Sequence, residues 1–243
     1  MKRWMPCLNV QALCLAGVAG CTQAAALAWP VGGQPLWWLQ ILSLSVFAWL
    51  LHQAPDRKRA ACWGWVFATS WLASTFWWLF ISMHTYGGLP AALAVLAVLA
   101  LAAFLGSYYA LAAWLYKRFA GQGWRSVWLF AACWTLAELA RGSLWTGFPW
   151  GAGGYAHTDG WLSALPRWLG VYGTGAAAAA MAMAVVQSKV LAQRTWCTAG
   201  VVVCSLALIA GAHWSRQQAV QAPGRAPVSV ALLQGNIAQD ETG

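Results

Sequence analysis

The sequence predicts an all-α polytopic membrane protein of about seven transmembrane helices, on three observations. Of its 243 residues, 61% are hydrophobic and only 8% charged, whereas a soluble domain carries about 25% charged residues. Its apolar residues gather into runs of the length that crosses a bilayer, roughly 20 residues. Its 20 Trp suit the membrane–water interface, where an indole keeps its ring in the apolar layer. A soluble protein of this composition would lack the polar atoms to cover itself.

Seven runs qualify as spans: 8–28, 36–51, 61–82, 89–116, 127–145, 168–187 and 196–214. The first is diluted by Gln11, Thr22 and Gln23, and the second is short. Val18-Ala19-Gly20-Cys21, following Lys2-Arg3, looks like a lipoprotein cleavage site. The apolar run continues past Cys21 to Trp29, however, and further spans follow, so 8–28 reads as a span. Residues 1–214 then form one transmembrane domain.

The gaps between spans alternate in charge. Lys2 and Arg3, then Arg57, Lys58 and Arg59, then Lys117, Arg118 and Arg125, then Lys189 and Arg194 put ten of the 14 basic residues on one side. Arg141, Arg167, Arg216 and Arg225 are on the other. Cytoplasmic loops carry the excess of Lys and Arg. The N-terminus is therefore expected in the cytoplasm and everything after residue 214 outside it. The net charge of +9 is explained by these loops, so no nucleic-acid partner is expected.

Beyond residue 214 the chain changes character. Residues 215–227, with Gln217, Gln218, Gln221, Pro223, Gly224 and Pro227, read as a linker. Val228-Ser-Val-Ala-Leu-Leu-Gln234 reads as a buried strand, with Gly235-Asn236 as a turn. A lone strand has no stability of its own, so 228–243 is expected to begin a further domain.

The seven cysteines form no Cys-x-x-Cys pair and no Cys/His cluster with metal spacing, so neither a metal site nor a disulfide framework is expected. The chemistry concentrates in 138–167. Glu138 and Arg141 stand three residues apart near the end of a span, on one face of a helix. Charges at membrane depth are costly, and pairing lowers that cost. Two readings follow: an ion pair that locks the span against its neighbours, or a pair that shapes a lipid-headgroup site. The outer loop that follows holds six glycines and two prolines. Irregular backbone at this depth survives only where protein or water satisfies it, so the loop is expected to be folded. Pro149 turns the chain and presents Phe148 and Trp150 from a defined position. Tyr155, His157 and Asp159 lie further along. A His and an Asp two apart suggest acid–base work, and a solvated loop accounts for them equally.

The pattern Glu138-x-x-Arg141-Gly142, Thr146-Gly147-Phe148-Pro149-Trp150, Gly154-Tyr155 and Asp159-Gly160 resembles the outer-loop signature of apolipoprotein N-acyltransferases. Val230-Ala-Leu-Leu-Gln-Gly-Asn-Ile237 resembles the start of that family's nitrilase-like α/β domain. The two matches occur in the family's order and take in nearly the whole chain. The resemblance implies a bacterial inner-membrane enzyme with a periplasmic nitrilase-like domain. Its acyl donor would be a phospholipid of the phosphatidylethanolamine kind, and its acceptor the α-amine of a diacylglyceryl-cysteine apolipoprotein. In the family a cysteine thiolate takes the acyl chain as a thioester, a glutamate acts as base and a lysine stabilises the oxyanion. None of that triad maps onto this sequence, so no catalytic residue is assigned and the chain alone is expected to be inactive. No cofactor is implied. Glu138, Arg141, Phe148, Pro149, Trp150 and Tyr155 are the expected substrate- and lipid-binding residues, lining the periplasmic mouth of a lipid-access groove. Arg141 or Arg167 is the expected phosphate contact. The alternative is a non-catalytic membrane scaffold or small transporter, which leaves the strand after the linker unexplained. Transporters commonly show internal repeats, and none is visible. Gly-x-Ser-x-Gly and His-Glu-x-x-His are also absent, which removes the motif evidence for a membrane protease.

Overall fold

The chain folds as a bundle of helices that are apolar on most faces, as a lipid-embedded core requires. The computed structural model describes residues 9–192 and scattered positions between 203 and 217. The expected strand at 228–234 lies outside the described residues, as does most of span 196–214. The described elements are α1 (Val10–Leu27), α2 (Trp37–Gln53), α3 (Arg57–Thr75), α4 (Trp78–Ile81) running into a π-helical turn (Ser82–Tyr86), α5 (Ala91–Phe119), α6 (Trp124–Ser143), a 3₁₀ turn (Gly153–His157), α7 (Pro166–Val186) and α8 (Ser188–Ala192).

Local chemistry sets the ends. Asn9 caps α1, its side chain accepting from the Ala12 N–H at 3.2 Å, and Asp56 caps α3 through the Arg59 N–H at 2.9 Å. Each cap satisfies a backbone donor that the first turn leaves unpaired. Pro90 precedes α5 and Pro166 opens α7, where the missing N–H costs nothing.

Six of the seven expected spans fall in the described region, and a helix stands at each. Two are not the straight rods that hydropathy suggested. The 61–82 run is α3 followed by α4 and the π turn, bent by 51°. The 168–187 run is broken near its start, where Gly170 has φ +65°. By length and composition, α1, α5 and α7 can cross a membrane, and the bent pair makes a fourth if it counts as one span. At 17 residues, α2 reaches about 26 Å at 1.5 Å per residue. α6 carries Arg125, Glu138 and Arg141, which lower its apolarity.

Within the bundle, α3 packs between α1 and α5, α6 against α5 and α7, and α2 against α1 and α7. Gly64 permits the α3–α5 approach: a Cβ there would sit 2.7 Å from the Ala113 Cβ. Small residues at such crossings let the backbones close in. An aromatic slab fills the middle. Trp71 of α3 stacks on Trp134 of α6, with centroids 5.4 Å apart and planes 15° apart. Tyr109 of α5 lies 5.3 Å from each, and Phe47 of α2 stacks on Phe67 at 4.1 Å. At the basic end a polar latch joins the helices: Tyr116 Oη and Ser126 Oγ share a hydrogen bond of 2.6 Å, and Gln187 Oε1 accepts from the Gly123 N–H at 3.2 Å.

The outer surface is apolar, with Leu96, Leu99, Phe104 and Leu111 of α5 all exposed. So extended an apolar face marks contact with lipid. Among the described cysteines, Cys14, Cys21 and Cys133 carry free thiols and only Cys133 of these is buried. Cys62 is disulfide-bonded.

Replacing Trp71, which is fully buried, with Ala is expected to cost about 3–5 kcal/mol. Exposed Trp128→Ala is expected to stay within about 0.5 kcal/mol. Reversible unfolding of both variants in the same detergent measures the contrast.

Candidate functional site

The site forms where the last turn of α6 meets the loop that follows it. Glu138 and Arg141 lie on one helix face and both side chains are fully buried. Their closest approach, Arg141 Nη2 to Glu138 Oε1, is 4.0 Å, an electrostatic rather than a tightly bonded contact. Each finds its hydrogen bonds elsewhere. Arg141 Nη1 donates to the carbonyls of Phe148 and Trp150, both at 2.7 Å. Its Nε donates to Tyr109 Oη at 3.1 Å, and the guanidinium lies 5.8 Å from the Trp71 ring centroid. Glu138 Oε1 accepts the Gly153 N–H at 2.7 Å. The Gly153 carbonyl accepts from Gln40 Nε2 of α2 at 2.6 Å.

The loop turns back onto α6 by its own backbone. The Leu144 N–H bonds the Ala140 carbonyl at 2.8 Å, that of Gly147 bonds Leu144 at 2.9 Å, and that of Phe148 bonds Arg141 at 2.8 Å. Trp145 holds φ at +56°, a left-handed conformation uncommon outside Gly, Asn and Asp. A Cβ at Gly153 would lie 2.7 Å from Gln40 Nε2, so a side chain there would have to displace the Gln40 amide from its bond to the Gly153 carbonyl. The clamp therefore reads the backbone of the loop at Phe148, Trp150 and Gly153, and packing finishes the placement. Phe148 meets Phe76 edge-on at 4.8 Å, and Trp150 meets Trp78 at 6.2 Å.

The structure thus brings all six expected residues into one region but in two layers. Glu138 and Arg141 form the buried layer. Phe148 is half-buried between the layers, and Pro149, Trp150 and Tyr155 are exposed. Arg141 Nη1 and Nε are occupied by protein carbonyls and Tyr109, and Nη2 is buried without a hydrogen-bond partner, whereas Arg167 is exposed. His157 is fully buried in the 3₁₀ turn and Asp159 is exposed, so His157 does not sit in a solvated loop and the two do not form a dyad. Burial lowers the His157 pKa to about 4, because an apolar environment disfavours the imidazolium. Gln40, Tyr109 and Trp71 belong to the site and were not singled out from the sequence. Gln40 left a signal, a polar side chain in the apolar run 36–51. Among the described residues, no three His, Cys, Asp or Glu side chains gather as a metal site would need.

The family model for the apolipoprotein N-acyltransferase N-terminal domain matches residues 19–184, from α1 to α7 and through the whole loop. The chain belongs to the apolipoprotein N-acyltransferase family. It is 55% identical to the apolipoprotein N-acyltransferase of Verminephrobacter eiseniae over 99% of its own length and 47% of that protein. It is 43% identical to that of Ralstonia nicotianae over 84% of this chain and 39% of the relative. The corresponding figures for the Azotobacter vinelandii protein are 36%, 89% and 43%. The chain therefore spans less than half the length of these apolipoprotein N-acyltransferases.

Two outcomes test the clamp. Arg141→Leu leaves the fully buried Glu138 carboxylate without its counter-charge and is expected to cost about 3–5 kcal/mol. Limited proteolysis should then cut faster within 146–158. Loop stability is also expected to depend on pH through His157. The unfolded chain takes up a proton near pH 6.5, and the folded chain only near 4. Stability is then complete above about pH 6.5 and falls as the pH drops toward 4. His157→Leu should flatten that slope in a pH series of thermal melts.

Proposed function

We propose that this chain is the membrane part of an enzyme that moves an acyl chain from a phospholipid to the α-amine of a diacylglyceryl-cysteine apolipoprotein. In this reading the donor is of the phosphatidylethanolamine kind, and the protein sits in the bacterial inner membrane with seven spans. Its N-terminus is cytoplasmic, and residues after 214 lead through a periplasmic linker into a nitrilase-like domain. The observation that carries the reading is the family match over residues 19–184, together with a loop whose buried layer is fixed by protein and whose exposed layer is aromatic.

The chemistry has two steps. A thiolate attacks the ester carbonyl of the donor, forming a thioester and releasing a lysophospholipid. The acceptor amine then attacks the thioester, forming the amide and restoring the thiolate. No residue of this chain is assigned to either bond change. Among the described free cysteines, Cys133 is buried, and Cys14 and Cys21 lie within α1. An apolar setting disfavours the thiolate.

What the chain contributes is placement. Pro149, Trp150 and Tyr155, with Phe148 behind them, form the surface that a lipid ester meets at the outer mouth. Glu138 and Arg141 hold that surface from behind, and Arg167 is the exposed cation for the donor phosphate. Orientation of reacting groups is worth several orders of magnitude in rate, so a displaced aromatic face should be felt in turnover.

In a complete enzyme carrying this membrane part, Trp150→Ala is expected to lower turnover roughly 10–100-fold with folding intact. The check is acyl transfer from labelled phospholipid in proteoliposomes, with helicity measured alongside. Turnover equal to wild type would remove Trp150 from the site.

A further inference from the structure

The end of the bundle opposite the acyl-transfer loop carries a second feature. Arg57, Lys117 and Arg118, with Pro55 and Asp56, line an open basin of about 400 Å³. Arg57 comes from the start of α3 and the other two from the end of α5, sixty residues further along the chain. Positive-inside topology requires cations somewhere on this side of the membrane. It does not require cations from two separate loops to converge on one basin, where they repel each other.

The placement of Arg57 sharpens the point. It stands in the first turn of α3, where the positive end of the helix dipole disfavours a cation. The carboxylate of Asp56 does not compensate for it. One Asp56 oxygen accepts the Arg59 N–H at 2.9 Å, and the other lies 3.7 Å from Arg59 Nε. Among the described residues, no carboxylate lies within ion-pair distance of Arg57, Lys117 or Arg118. Two of the three are nevertheless held in place. The Arg57 guanidinium lies 5.2 Å from the Trp114 ring centroid, and Lys117 Nζ donates to the His52 carbonyl at 2.9 Å.

Below the cations runs an apolar stripe. Phe104, Leu111 and Arg118 are spaced by seven, so they lie on one face of α5. Phe104 and Leu111 are more than half exposed, and Arg118 is exposed at the basic end. From Phe104 to Arg118 is about 21 Å along the helix, the scale of an acyl chain. Three cations against the single Asp56 carboxylate, above an exposed apolar stripe, complement a phosphate on a hydrocarbon tail.

We propose that Arg57, Lys117 and Arg118 form a site for one anionic phospholipid of the cytoplasmic leaflet, its phosphate in the basin and a tail along Leu111 and Phe104. The site is separate from the acyl-transfer loop and does not depend on transfer chemistry. It rests on the orientation proposed above, with this end of the bundle cytoplasmic, and on the α5 stripe facing lipid.

Native mass spectrometry of the purified protein in neutral detergent tests this, with phosphatidylglycerol and phosphatidylcholine offered at equal concentration. Wild type is expected to retain one phosphatidylglycerol in preference to phosphatidylcholine, with a contribution of roughly fivefold per cation. Equal retention of the two lipids would overturn the proposal. The variant R57Q/K117Q/R118Q should lose the preference, whereas K58Q/R125Q, which removes cations outside the basin, should keep it. Equal loss in both would mean general charge attraction and would also overturn it. Arg118 is exposed and its described contact is the Phe119 ring. R118Q should therefore fold as wild type and lose roughly fivefold in preference, which keeps the test open if the triple variant does not fold. Inorganic phosphate at millimolar concentration should leave the lipid bound, and displacement by it would assign the basin to free phosphate instead.

Discussion

The buried guanidinium of Arg141 is the constraint on which the rest of the loop end depends. An uncompensated cation in an apolar interior costs several kcal/mol even after relaxation. An irregular loop at membrane depth has the complementary deficit, because its carbonyls and N–H groups need partners that lipid does not supply. Here the two deficits meet each other. Arg141 takes the carbonyls of Phe148 and Trp150, and Glu138 takes the Gly153 N–H. The 4.0 Å between the two side chains is then a consequence of geometry: each is pulled toward the loop, and their mutual attraction balances the charge of the assembly.

That arrangement explains why the surrounding core is aromatic. Trp71, Tyr109 and Trp134 pack as a slab beneath the pair, and Tyr109 also accepts from Arg141 Nε. Aromatic rings tolerate a cation nearby because their faces carry negative potential, while still burying large apolar area. The slab thus joins α3, α5 and α6 to the site in one packed unit. The loop inherits the rigidity of those helices, and its exposed aromatic layer is presented from a fixed base.

Much of this was legible in the sequence, and the parts that were not have definite reasons. Composition and run length gave the helical membrane class and the places of the six spans in the described region at which a helix stands. The spacing of Glu138 and Arg141 gave their shared face. The partners of the pair were hidden because they are backbone groups, which every residue possesses and no letter marks. The two-layer arrangement was hidden for the same reason: Arg141 Nη1 bonds the loop backbone, and the guanidinium lies inward. Hydropathy averages over a window, so it could not register the bend between Thr75 and Trp78 or the break at Gly170. His157 was read as consistent with a solvated loop because its neighbours are small and polar, yet the 3₁₀ turn carries it inside. Gln40 was legible in principle, as a polar residue inside a short apolar run.

The central claim is that the loop is held as part of the bundle by side chains of α6. Amide hydrogen exchange at Gly153, in the wild-type protein in lipid nanodiscs, tests it most directly. Slow exchange is expected there, matching amides in the middle of α6, because the N–H is buried and bonded to Glu138 at 2.7 Å. Exchange at the rate of an exposed loop amide would contradict it.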